Sequence, residues 1–138
     1  FRITDSRTAE LTKYMENSFL ATKVSFCQQF YFIASEMDVD YEELRELFVL
    51  DPRVNPSHTF VDRLHPYWSS HCLDKDVPAI ADTYEASLLQ EIIKFNENTK
   101  KCLGIIRKAE IPEGIKNDML MYQAGVRRKE ILKDQETP

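Results

Sequence analysis

The stretch Ala9-Glu10-Leu11-Thr12-Lys13-Tyr14-Met15-Glu16-Asn17-Ser18-Phe19-Leu20-Ala21-Thr22-Lys23-Val24-Ser25-Phe26 decides the fold. It lies in a run from Thr8 to Met37 that holds neither glycine nor proline. Leu11, Met15, Phe19 and Lys23 recur at i, i+4, the spacing of one helix face. Thr8 or Ser6 suits the N-cap, and Glu10 in the first turn complements the helix dipole. After Val24 the apolar residues Phe26, Cys27, Phe30, Tyr31, Phe32 and Ile33 surround the axis, which predicts a buried helix. Some 30 residues of helix span about 45 Å, more than a domain of this size buries alone. A second copy of the chain is the expected cover, and helices later in the same chain are the alternative.

Outward from this helix the pattern stays helical. Asp38-Val39-Asp40 breaks the run, and Asp40 caps a short helix from Tyr41 to Leu50, with Glu43 placed as in a capping box. Pro52 and Pro56 end it. Residues 51–71 hold three prolines and all three histidines without a clear period, and read as a long ordered loop, locally extended near His58 to Val61. Helix resumes near Leu73, with Pro78 early in it. Another runs from about Ser87 to Lys108 on Leu88, Leu89, Ile92, Ile93 and Phe95. Ile111-Pro112 breaks the chain before a last helix, about Glu113 to Leu132. The expected fold is all-α: a dimer-forming domain built on one long buried helix. Residues 1–100 would form the central domain, with residues 101–138 a divergent helical extension packed on it.

Composition excludes several function classes. The chain has 138 residues, 43% of them hydrophobic, enough for one core. Its only glycines, Gly104, Gly114 and Gly125, cannot form a GxGxxG turn or a P-loop, so no cofactor-binding residue is assigned here. A net charge of -5 argues against nucleic acid. No apolar run is long enough to span a membrane, and no secretory signal opens the chain. Cys27, Cys72 and Cys102 are odd in number and widely spaced, which favours a reducing, cytoplasmic setting over a disulfide framework. Opening on Phe1, the sequence reads as a piece of something longer.

Two constellations can carry chemistry. In Cys72-Leu73-Asp74-Lys75-Asp76 the cysteine stands at a helix N-terminus, where the dipole and free N–H groups favour the nucleophilic thiolate. Lys75 adds positive charge. Asp76, one turn on, is placed to activate water against a thioester. The plainer alternative is a half-buried structural cysteine before a charged helix start. On the long helix Lys13 and Asn17, at i, i+4, are placed to bind a developing oxyanion; the alternative is a solvated face. His65, His71 and Cys72 match no zinc-finger spacing and lack a second ligand pair, so no metal is expected. Cys27 and Cys102 read as packing residues.

Together these segments resemble the UDP-glucose and GDP-mannose dehydrogenase family. The opening stretch is similar to the family's AELxKxxxNxFLAxKxSF helix. Leu50-Asp51-Pro52-Arg53-Val54-Asn55-Pro56-Ser57-His58 is similar to DxRIGxSH, and His71-Cys72-Leu73-Asp74-Lys75-Asp76-Val77 to the cysteine motif GGxCxxKD. The resemblance covers about residues 8–100. It implies a helical middle domain that also forms the dimer, between an NAD-binding domain and a nucleotide-binding domain. It further implies oxidation of a sugar primary alcohol to a carboxylate with two NAD. Carried over residue by residue, Cys72 forms the thiohemiacetal and thioester, Lys13 and Asn17 bind the oxyanion, and Asp76 assists water. Arg53, and Lys75 beside it in role, would bind the nucleotide sugar, Arg53 in the partner subunit's site.

The sequence departs from the family's pattern at three points. No cofactor domain is present, so this chain alone is not expected to turn over. Ser69-Ser70 replace the glycine pair before the cysteine, which narrows the space or demands different backbone angles. Asn55 replaces the glycine of the second block, a milder change because asparagine tolerates left-handed geometry. Two readings follow: the central domain of an NAD-dependent nucleotide-sugar dehydrogenase, or a stand-alone helical dimerisation or nucleotide-sugar-binding module that has lost the chemistry.

Overall fold

A computed structural model describes residues 3–126, and among them every regular element is an α-helix. They are α1 (Ser6–Glu36), α2 (Tyr41–Phe48), α3 (His71–Tyr84), α4 (Ser87–Lys108) and α5 (Glu113–Gln123). The all-α expectation holds.

Several boundaries move for physical reasons. The cap of α1 is Asp5, neither Ser6 nor Thr8: its carboxylate accepts the Thr8 N–H at 2.8 Å and the Thr8 hydroxyl at 3.0 Å. Glu10 therefore falls in the second turn. Asp40 caps α2 as expected, accepting the Glu42 N–H at 3.1 Å. The α3 helix begins at His71, which puts Pro78, expected early in the helix, in its interior as the eighth of 14 residues. Gly125, with φ 71°, ends α5 early; the rest of the helix expected to Leu132 lies outside the described residues. Three non-glycine residues, Asp38, Glu85 and Glu110, take the left-handed conformation just past α1, α3 and α4.

The core forms along one side of α1. Ala21 meets Trp68, Leu73 and Val77, with Ile92 and Ile93 of α4 behind them. Phe32 meets Cys102, Leu103 and Ile106 of α4 and Leu120, Met121 and Ala124 of α5. Cys27 and Ala34 meet Tyr41 of α2. The opposite side of α1 keeps exposed apolar residues: Leu11, Met15 and Phe19, and also Phe26 and Phe30, which line a cavity with Phe48 of α2. A helix buried all round is therefore not what one chain provides. Later helices leave the stripe of Leu11, Met15 and Phe19 uncovered.

The long loop between α2 and α3 is ordered by anchors from three helices. The Tyr41 hydroxyl donates to the Thr59 carbonyl at 2.6 Å, and Lys23 Nζ donates to the Asn55 carbonyl. Arg107 holds the Leu64 carbonyl, and Asn96 holds Trp68. The left-handed residue in this loop is His58, with φ 63°, which replaces the expected extended start at His58 with a turn. Asn55 is not left-handed; its side chain accepts the Ser57 N–H at 2.8 Å instead.

Candidate active site

The face of α1 that carries Lys13 and Asn17 meets α3 at Asp76. Asp76 is 3% exposed, which a carboxylate tolerates only with partners. Asn17 Nδ2 donates to Asp76 Oδ2 at 2.7 Å, and Lys13 Nζ lies 3.7 Å from the same oxygen. The Lys13 side chain remains 61% exposed. Its ammonium thus faces solvent above a buried acid, and Asn17 keeps its second amide N–H for another acceptor. Cys72 is exposed, one turn before Asp76 on α3. An ammonium, an amide donor and a carboxylate thereby meet where α1 and α3 pack, with a thiol one turn away on α3, groups that can serve acyl transfer through sulfur.

The segment entering α3 is more constrained than its sequence suggests. Ser70 is extended, with φ -148°, and its hydroxyl caps α3 by accepting the Leu73 N–H at 3.2 Å. Ser69 donates to Asp74 Oδ2 at 3.1 Å. Neither serine needs a positive φ, so the family's glycines are replaced without backbone strain. Lys100 of α4 pairs with Asp74 at 3.7 Å and lies over the Tyr67 and Trp68 rings. Sequence reasoning missed Lys100, Asn96 and Ser25. The available signal was polarity at buried positions: Asn96 and Thr99 share the apolar face of α4 with Ile92 and Leu103.

Other candidates stand apart. Arg53 is folded onto Asp51 by two bonds, Nε to Oδ1 at 3.0 Å and a terminal nitrogen to Oδ2 at 2.7 Å. That guanidinium holds the Asp51 carboxyl below its ordinary value. Among the described residues, neither Arg53 nor Lys75 hydrogen bonds or ion-pairs with Asp76 or its partners. Cys27 and Cys102 are buried, and burial pushes both thiols up. No group of three or more His, Cys, Asp or Glu among the described residues could hold a metal. The described residues do not fit NAD by the family's strand–turn–helix mode: Gly104 and Gly114 lie inside helices, and Gly125 only terminates one. No helix among them is long and apolar enough to cross a membrane.

The profile of the UDP-glucose/GDP-mannose dehydrogenase family, central domain, matches residues 7–98. The chain belongs to this family. Among curated proteins it is 32% identical over 105 residues to UDP-glucose 6-dehydrogenase YwqF of Bacillus subtilis, covering 72% of this chain and 23% of the relative. The UDP-glucose 6-dehydrogenase of Rickettsia bellii is 32% identical over 100 residues, 69% of this chain and 22% of the relative. UDP-N-acetyl-D-mannosamine dehydrogenase of Methanococcus aeolicus is 28% identical over 138 residues, 99% of this chain and 30% of the relative. The chain thus spans between a fifth and a third of these relatives. No solved structure gives a significant match. The family's central domain is the region that holds Lys13, Asn17, Cys72 and Asp76 here.

Proposed function

We propose that the chain acts as the catalytic middle of a nucleotide-sugar dehydrogenase, oxidising the primary alcohol of a UDP-glucose- or GDP-mannose-type substrate to a carboxylate. The observation that carries this reading is the meeting of Lys13, Asn17 and Asp76 one turn from an exposed Cys72. Cys72 adds through sulfur to the carbonyl carbon of the sugar aldehyde, giving a thiohemiacetal. The carbonyl oxygen gains charge toward the Lys13 ammonium and the second Asn17 N–H. At the thioester stage Asp76 takes a proton from water, the water oxygen bonds to the acyl carbon, and the Cys72 thiol leaves. Hydride removal is the chemistry of NAD, for which the described residues offer no site, so this chain alone would not turn over.

We further propose a homodimer in the cytoplasm. The bare apolar side of α1 supports the dimer, and free thiols at Cys27, Cys72 and Cys102 support the reducing compartment. Arg53 does not reach its own Asp76 cluster, which suits a role in the partner's site. A monomer mass by light scattering at micromolar concentration would overturn the dimer.

One observation favours the non-catalytic reading. Both serines place side chains on the turn before Cys72, where Ser70 takes the Leu73 N–H and Ser69 donates to Asp74. Activity separates the two readings. The protein, supplied with a family NAD-binding domain, should form NADH from a nucleotide sugar, and its Cys72→Ser variant should not. No NADH from any nucleotide sugar would leave the binding module standing.

A further inference from the structure

Asn96 lies on α4 and is fully buried. A buried amide needs partners at both ends. Asn96 finds both on one residue: Nδ2 donates to the Trp68 carbonyl at 2.8 Å, and the Trp68 N–H donates to Oδ1 at 2.8 Å. This is the reciprocal pair that a neighbouring strand would give an extended residue. The loop has no strand beside it, and a side chain supplies the pair instead.

Trp68 is held a third time through its ring. Its Nε1 donates to Ser25 Oγ on α1 at 2.9 Å, and the indole packs with Ala21, Leu73 and Val77. Trp68 is therefore fixed to α4 through its backbone and to α1 through its side chain. Two residues later Ser70 caps α3, and two after that comes Cys72. The start of α3 is set by this fixed point, while Asp76 is set by Asn17 of α1.

We infer that Asn96 is a positioning residue for Cys72: its clasp on Trp68 fixes where the thiol stands relative to Lys13, Asn17 and Asp76. The inference rests on the reading of Cys72 as the reacting group, but the clasp itself can be tested without turnover. An apolar residue would fill the position beside Leu103 equally well, yet pairing with both polar groups of Trp68 takes a donor and an acceptor on one side chain, which the amide carries at every pH. Asn96→Leu removes both bonds. Asn96→Asp keeps the acceptor and regains the donor only when its carboxyl is protonated.

The test is the rate at which Cys72 reacts with a pyridyl disulfide, read by peptide mass spectrometry across pH, with Cys102 as the internal marker of global opening. In Asn96→Leu the Cys72 rate should depart from wild type by at least about threefold at every pH, since small misplacement of a reacting group has large kinetic effects. In Asn96→Asp it should match wild type at about pH 5 and depart at about pH 8, because a buried carboxyl is neutral well above its ordinary range. Amides of residues 68–73 should lose hydrogen-exchange protection in step, with those of α1 unchanged. If Asn96→Leu unfolds, Asn96→Asp on either side of its titration supplies the comparison within one folded protein. A Cys72 rate within twofold of wild type at both pH values overturns the inference. So does a rate change in Asn96→Asp that ignores pH. Failure of the dehydrogenase reading shows separately, as absence of NADH formation by the wild type supplied with a family NAD-binding domain.

Discussion

Asp76 should depend on Asn17 far more than on Lys13, although both touch the same oxygen. Asn17 gives a 2.7 Å bond inside the fold, whereas Lys13 stands 3.7 Å away with 61% of its side chain in solvent. A buried hydrogen bond to a charged group contributes roughly 1.5–3 kcal/mol. An exposed ion pair contributes roughly 0.2–1 kcal/mol. Asn17→Leu should therefore cost about 2 kcal/mol, and Lys13→Met under about 1 kcal/mol. With a urea slope of about 1.5 kcal/mol/M, the first lowers the unfolding midpoint by about 1.3 M. A double-mutant cycle with Asp76→Leu isolates the Asn17 contribution, expected at about 2 kcal/mol of coupling. If Lys13→Met proves as damaging as Asn17→Leu, or the coupling is under about 0.5 kcal/mol, the division between a supporting amide and a solvent-facing cation is wrong. Lys13 would then be structural, and its proposed place at an oxyanion would lose its basis.

Further outcomes follow from burial and backbone geometry. Iodoacetamide should label Cys72 well before Cys27 or Cys102 in the native protein, because Cys72 is exposed while the others are buried with thiols pushed up. Equal labelling by peptide mass spectrometry contradicts this. Burial raises the Cys27 thiol above its ordinary 9.0, so the folded state keeps a proton that the unfolded state releases. Its contribution is present in full below about pH 9 and is lost as pH rises through the folded value. Thermal midpoints should fall on the alkaline side, and Cys27→Ala should flatten that fall; an unchanged slope refutes the assignment. Glu85 ends α3 at φ 50°. Glu85→Gly should stabilise by about 0.5–1 kcal/mol, a few degrees in Tm, where a destabilised variant would show that no strain was relieved there.

Much of the fold could be read from local pattern. The span of α4 follows from its amphipathic period, and Gly-free, Pro-free sequence gives the extent of α1. The start of α1 was misplaced because Ser6, Thr8 and Asp5 all suit a cap, and only the bond from Thr8 to Asp5 decides among them. The end of α5 was overrun because Gly125 is a stop only when the chain beyond it turns back onto Met121. Lys13 with Asn17, and Cys72 with Asp76, were each visible as i, i+4 pairs. Their convergence was implied by the family resemblance alone, since no periodicity reports which face of α1 meets which face of α3. The clasp between Trp68 and Asn96 joins residues 28 apart, beyond the reach of any local rule. Burial of α1 was overestimated for the opposite reason: its apolar residues exceed what one chain covers.

The proposed reaction has Cys72 carry a sugar carbonyl over Lys13, Asn17 and Asp76. Its most direct test is protection of Cys72 from iodoacetamide by the 6-aldehyde of a UDP-linked sugar. The aldehyde should slow Cys72 labelling severalfold in a saturable manner, leave Cys27 and Cys102 unaffected, and lose its effect in Lys13→Met. Labelling of Cys72 that is indifferent to the aldehyde, with Lys13 present or absent, would contradict it.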